Sequence, residues 1–307
     1  MVAFIVRRFL SSVVVLLCVM ALTFLLARLQ KGGPFDREKA SSPHTREILE
    51  KKYHLNGTVF QQLGAYMSEL VLHGDLGISA HYQSLSVEEM LWQKMPNSFT
   101  LGWLAFVIAS VGGVALGFIS AMQKDTWVDV SSMLSALLAI SIPSFVTGPL
   151  LVALFCLWLG WFPVGGWGGF SHLILPSICL GTPYIAYVAR LMRNSLLDVM
   201  TQGFMRTAKA KGLPPSRALA KHAMKVAILP VVTYLGPMAA YVMTGSFIVE
   251  AVFNISGAGS LFVNAIQNKD VFILCGAVFV YCALLLLFNF VVDVLYMFLD
   301  KRIQLHA

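Results

Sequence analysis

Six apolar stretches, each long enough for a helix to cross a lipid bilayer, set the frame for this 307-residue sequence. They cover residues 9–29, 98–122, 130–159, 172–191, 226–249 and 271–299. The hydrocarbon layer is about 30 Å thick and needs roughly 20 apolar residues rising 1.5 Å each, because inside it every backbone amide must be satisfied within its own helix. Charge is scarce to match: 12% of residues are charged and 58% hydrophobic, whereas soluble domains carry about 25% charge. A water-soluble fold is excluded. The expectation is an all-α integral membrane protein of six spans with a small extracytoplasmic helical segment between the first two. Residues 9–29 exceed the roughly 7–15 apolar residues of a cleavable signal, and no small-x-small cleavage site follows, so they read as an uncleaved span.

The net charge of +7 invites a nucleic-acid reading. The positive residues lie near the ends of apolar runs, however, where they orient helices in the membrane. Residues 190–225 hold Arg190, Arg193, Arg206, Lys209, Lys211, Arg217, Lys221 and Lys225 against the single acid Asp198. This loop is expected in the cytoplasm, together with Arg7, Arg8, Lys124, Lys301, Arg302 and both termini. The organisation reads as residues 1–29 (N-terminus and first span), 30–97 (outer segment) and 98–307 (five-span core containing the loop 190–225). All five cysteines (Cys18, Cys156, Cys179, Cys275 and Cys282) fall in apolar runs and read as small buried hydrophobes.

In the outer segment, Ser42 and Pro43 suit the start of one helix and Asn56-Gly57 its stop. A second helix follows, with Phe60, Leu63, Met67, Leu70 and Val71 forming one apolar face. That face suits ordinary packing of a small cap, the bilayer, or a docking partner. Pro143 and Pro149 interrupt the third apolar run, which predicts a kinked or broken span. Ser141, Pro143, Ser144 and Thr147 around the break either face a passage or serve helix packing.

Few side chains here suit bond-making chemistry. Glu250 and Asp293 are the chief ionisable groups of the spans, and neither has an evident partner. Glu250 is expected at a water-accessible outer mouth, as a packing or gating residue or, alternatively, as half of a proton relay. His44, His54, His73 and His81 share the outer segment, but their spacing matches no compact metal motif. The chain lacks the Gly-x-x-x-x-Gly-Lys-Ser/Thr phosphate cradle, so any ATP chemistry belongs to another chain.

The strongest local pattern is in the basic loop. Residues 204–211 favour helix, Gly212 supplies a stop, and Pro214-Pro215-Ser216 begins a second helix. Small Thr207, Ala208 and Ala210 permit close approach of a partner, and the positive charges suit an acidic rim. A loop made basic solely for topology would need neither the small-residue helix nor the Gly-Pro-Pro break.

At this loop, Arg206-Thr207-Ala208-Lys209-Ala210-Lys211-Gly212-Leu213-Pro214, continuing through Lys221-His222-Ala223 to Leu229-Pro230, resembles the coupling motif of bacterial ABC importer permeases. The resemblance covers nearly the whole chain and is strongest to the first permease subunit of the dipeptide/oligopeptide importer family. It includes Lys52-Tyr53-His54-Leu55-Asn56, His73-Gly74-Asp75-Leu76-Gly77, Pro143-Ser144-Phe145-Val146, Gly165-Gly166-Trp167, and Thr244-Gly245-Ser246 leading to Glu250, Phe253 and Gly257-Ala258-Gly259. Two departures stand out: Arg206 and Thr207 replace the frequent Glu and Ala, and Ser256 replaces a usual proline, leaving open the shape of the outer gate segment, residues 244–259.

The resemblance implies the type I ABC importer permease architecture. It implies ATPase coupling through Arg206, Thr207, Ala208, Lys209, Ala210, Lys211, Gly212, Leu213 and His222, and an outer gate or passage including Ser246, Glu250, Gly257 and Gly259. It also implies a non-enzymatic transport subunit of the bacterial inner membrane, surrounded by lipid, with no cofactor of its own. Its partners would be a second similar permease, two ATP-binding subunits that hold ATP and Mg, an extracytoplasmic binding protein and a peptide substrate. Nickel or another metal complex, or antimicrobial peptides, remain alternative cargoes, and ion-coupled secondary transport is a further alternative.

Overall fold

The computed structural model of the chain describes residues 2–29, 57–79, 82, 85–243 and 245–299. Among the described residues the structure is helical apart from loops and one antiparallel bridge, Ile78 to Ser86. Four helices are long and apolar enough to cross a membrane singly: α1 (Val2–Leu29), α3 (Val87–Met122), α6 (Ser171–Met200) and α13 (Val271–Leu299). Two further candidates are bent pairs, so the described residues hold four candidate spans, or up to six when each pair counts as one.

The first pair joins α4 (Trp127–Ser141) to α5 (Ser144–Leu151), which continues as a wider π-type turn over Val152–Trp158; its two arms bend by 109°. The cause is local. A proline disfavours helical backbone in the residue before it, and Ile142 is accordingly extended (φ −91°, ψ 119°). Pro143 then starts α5 in extended geometry. The second pair is Leu219–Ala227 followed by α10 (Leu229–Met243), bent by 52° just before Pro230, which cannot donate a helical hydrogen bond.

Between the spans lie α2 (Val59–His73), α7 (Gly203–Ala210), α8 (Pro215–Ala218), a π-type turn over Leu219–Ala223, α9 (Met224–Ala227), α11 (Phe247–Val252) and α12 (Ala258–Asn268). The central helix is α3, packed against α6 and α10 through glycines. A Cβ on Gly117 would stand 2.4 Å from the Ala189 carbonyl oxygen, and one on Gly102 would stand 2.4 Å from that of Val242. Small residues let membrane helices approach until their backbones touch. Leu101, Ala105, Val188, Met192 and Val242 fill the resulting core. A second core joins α1, α2, α12 and α13, where Tyr66 stacks on Phe24 at 5.4 Å and tilts against Phe272 at 6.0 Å.

Several boundaries differ from expectation. The second span begins at Val87 rather than at residue 98, because Ser86 caps it by accepting from the Glu89 amide and two acids favour its first turn. The expected division at residues 97/98 therefore falls inside one helix. In α2, Gln62, Tyr66 and Leu70 are the buried residues, while Phe60 and Val71 from the expected apolar face turn outward. Thr58 and Gln61 form a reciprocal capping box at its start. Cys18 is exposed on α1, unlike buried Cys156, Cys179 and Cys275. Ser42, Pro43, residues 52–56, His44, His54, His81, Thr244, Lys301 and Arg302 lie outside the described residues.

Candidate functional site

The two ends of the bundle carry different machinery. At one end, the segment 57–97, the turn 160–171 and the segment 246–270 come together: Gly166 donates its amide to the Phe253 carbonyl at 2.8 Å, and Ser79 donates to Asp270 at 2.7 Å. At the opposite end Arg8 of α1 meets Asp293 of α13 at 2.5 Å, so Asp293 does have a partner.

Near that opposite end α6 runs on to Met200, so the expected loop 190–225 begins inside it and only the part from Gly203 folds as helix, turn, helix. Helix α7 ends in a Schellman-type stop in which the Leu213 amide donates to the Ala208 carbonyl at 3.3 Å. Gly212 holds φ +78°, a backbone conformation that side-chain-bearing residues resist. Then Pro215 opens α8, matching proline's preference for the first turn. Met205 is buried in the bundle core and Leu213 is half-buried against it, while Ala208 is also buried. Arg206, Thr207, Ala210, Lys211, Gly212 and His222 are exposed. Ala208, expected to ease a partner's approach, is only 8% exposed. The outward face gains Phe204, 43% exposed, which the sequence reading treated only as the start of the helix.

At the first end, Glu250 sits on α11, only 1% exposed, in a pocket shaped by three glycines. A Cβ would stand 2.5 Å from its carboxylate at Gly245 or Gly257, and 2.9 Å at Gly259. Glu250 Oε1 accepts from the Ser98 hydroxyl at 2.6 Å, and the Ser98 oxygen accepts the Ala258 amide at 2.8 Å. Oε2 makes no hydrogen bond of its own but lies beside Gly259 at the start of α12, where the Gly259 and Ser260 amides and the helix dipole favour negative charge. Burial pushes the Glu250 carboxyl above the usual carboxylate range, opposed by the Ser98 hydrogen bond and these amides. The expected water-accessible mouth is therefore a sealed joint between α3, α11 and α12. Ser246 caps α11 by accepting the Val249 amide at 3.4 Å.

Ser256 ties the segment after α11 to α3: its carbonyl accepts from Asn97 at 2.8 Å and its hydroxyl meets the Lys94 ammonium. Gly165 also has a local cause, since a Cβ there would lie 2.4 Å from the Phe253 carbonyl oxygen. Around the third span's break the expected residues separate. Thr147 packs against Cys179 of α6 at 3.6 Å, while the Ser141 hydroxyl donates to its own helix at Leu137. Pro143 is exposed at the bend and Ser144 is half-buried.

One ionic site escaped the sequence reading. Asp129, at the start of α4 and 2% exposed, is held by both Nε and Nη2 of Arg193 at 2.6 Å each, by the Ser120 hydroxyl at 2.5 Å and by the Asp125 amide at 3.0 Å. Arg193 was counted only as an orientation charge, and Asp129 fell one residue before the expected span. Its place in the first turn of an apolar helix was the available signal.

Residues 113–305 match the family described as the inner membrane component of binding-protein-dependent transport systems, and residues 1–100 match the N-terminal part of such membrane components. The chain belongs to this family. Similar permeases include the oligopeptide transport system permease protein OppB of Haemophilus influenzae, 40% identical over 99% of this chain and 100% of that protein. The dipeptide transport system permease protein DppB of Bacillus subtilis is 38% identical over 100% of this chain and 99% of that protein. The permease also shares its fold with a solved structure of the MetNI methionine ABC transporter in an inward-facing conformation, at a TM-score of 0.59 and 15% identity over 69% of this chain and 96% of that one. The permease is thus an all-helical, multi-pass membrane protein of ABC importer architecture, as its sequence led one to expect.

Proposed function

We propose that the chain is the membrane subunit of an ATP-driven peptide importer and forms half of its passage, opposite a second, similar permease. Full-length likeness to permeases named for oligopeptide and dipeptide transport supports the cargo. The single observation that carries the coupling role is the exposed α7, Gly212 turn and α8: a short helix seated on the bundle by Met205 while Phe204, Arg206, Thr207 and Lys211 are exposed. An exposed aromatic residue on a basic helix-turn-helix fits an acidic groove on a cytoplasmic ATPase, where ATP and Mg would be bound. In this reading that end and both termini face the cytoplasm, and the Glu250 end faces the extracytoplasmic peptide-binding protein.

The proposed coupling segment comprises Arg206, Thr207, Ala208, Lys209, Ala210, Lys211, Gly212, Leu213 and His222. Ser246, Glu250, Gly257 and Gly259 act in the outer gate by holding α11 and α12 to α3. A proton relay between Glu250 and Asp293 finds no support: Glu250 is bonded to Ser98 at one end, and Asp293 is bonded to Arg8 at the other. The test is uptake into vesicles holding the co-purified complex. Uptake that requires ATP supports the importer, whereas uptake driven by a proton gradient without an ATPase overturns it.

A further inference from the structure

The importer reading leaves open where in the bundle a peptide is touched, and one face of the bundle has the chemistry for it. Helices α6 and α10 pack side by side, and each leaves a polar, aromatic stripe uncovered. On α10, Thr233, Tyr234 and Tyr241 fall within one arc of about 100° at the helical period. On α6, Tyr187 and Arg190 share a face, with Tyr184 at its edge. Tyr187 is 39% exposed and Tyr241 63% exposed.

The Tyr187 and Tyr234 rings lie 4.2 Å apart between centroids at 31°. Tyr184 is within electrostatic range of Tyr234 and Tyr241. The Arg190 guanidinium lies 5.8 Å from the Tyr187 ring centroid and forms no ion pair among the described residues. Tyr184, Tyr187 and Tyr234 lie well inside their helices, Tyr241 lies near the end of α10 that leads to the Glu250 joint, and Arg190 lies toward the end of α6 that leads to the loop around Gly212.

Such a surface is out of place against lipid. The outward residues of α13, such as Leu287 and Val291, show what a lipid-facing helix carries here. Phenols inside a span, and an arginine toward the end of one, call for polar company from water, protein or cargo. Against a peptide the match is direct. A phenol both donates to carbonyls and accepts from amides, which every peptide offers whatever its sequence. Aromatic rings accept varied side chains, and a guanidinium pairs with a terminal carboxylate in bidentate fashion.

We infer that Tyr184, Tyr187, Tyr234 and Tyr241 with Arg190 form a sequence-tolerant track that contacts the peptide in transit. This rests on the peptide-importer reading. The test uses the complete complex in liposomes with a photoreactive benzoyl-phenylalanine at position 187, 234 or, as control, 287. A biotin-labelled oligopeptide is added with ATP and the sample illuminated.

The expected result is biotin attached to this chain from positions 187 and 234 and not from 287. In a companion measurement, combined Tyr187→Phe and Tyr234→Phe should raise the peptide KM about five-fold or more by removing two hydrogen-bonding hydroxyls. If unsubstituted complexes import the peptide while positions 187 and 234 capture only the second permease chain, the face is a subunit interface and the track is overturned. If unsubstituted complexes import no peptide, the importer reading itself falls and the track with it.

Discussion

Ser98 bridges two helices by one oxygen: it donates to Glu250 Oε1 at 2.6 Å and accepts the Ala258 amide at 2.8 Å. The first bond fixes a buried carboxylate on α11, and the second fixes the first amide of α12. Removing the hydroxyl by Ser98→Ala strips both groups of a partner in a place closed to water. The expected loss is about 1–3 kcal/mol, measured as a lower midpoint for thermal unfolding of the detergent-solubilised permease. An unchanged midpoint would mean that the joint is not structural.

The adjacent glycines Gly112 and Gly113 on α3 should respond with opposite signs. A Cβ on Gly113 would stand 2.6 Å from Val188 and 2.9 Å from the Ile185 carbonyl oxygen, while one on Gly112 meets nothing within 4 Å. Gly113→Ala forces α3 and α6 apart and should destabilise by about 1–3 kcal/mol. Gly112→Ala only stiffens the helix and should stabilise by about 0.5–1 kcal/mol. The same thermal assay distinguishes them.

The Asp129 and Arg193 pair closes the bundle where α3, α4 and α6 meet. Asp129→Leu leaves a largely buried guanidinium without its carboxylate and should cost about 3–5 kcal/mol. Arg193→Leu added to it should recover part of that loss, because two apolar groups replace two charges. Recovery in the double variant, read by detergent stability and by yield in the membrane, separates a buried pair from two independent surface charges.

How much of this was legible beforehand follows from how local each cause is. Apolar length marked α1, α6 and α13, and Pro143 marked the break in the third span, because these effects act within a few residues of chain. The stop at Gly212 was readable for the same reason. The burial of Glu250 was not, since Ser98 comes from 152 positions away and no local pattern names it. Asp129 and Arg193 are 64 positions apart and share the same difficulty. The burial of Ala208 and the exposure of Phe204 depend on how α7 lies against the bundle, which its own sequence leaves open.

Phe204 should therefore matter more than its place at the start of a motif suggests. Exposed aromatic anchors often dominate an interface. Phe204→Ala should weaken ATPase attachment by about 2 kcal/mol, close to thirty-fold in Kd. Titration of the ATPase onto nanodisc-held permease measures this directly; unaltered affinity would move the contact away from α7.

The coupling role of the Gly212 turn is tested most directly by Gly212→Val in the complete complex in liposomes, with ATP hydrolysis and peptide uptake followed together. A Cβ at Gly212 meets nothing within 4 Å, so the fold tolerates it, but φ +78° does not suit a branched residue and costs about 1–2 kcal/mol. The expected result is an assembled complex that still hydrolyses ATP while uptake falls to about one-tenth or less. Uptake at the unsubstituted rate, with hydrolysis also unchanged, would contradict it.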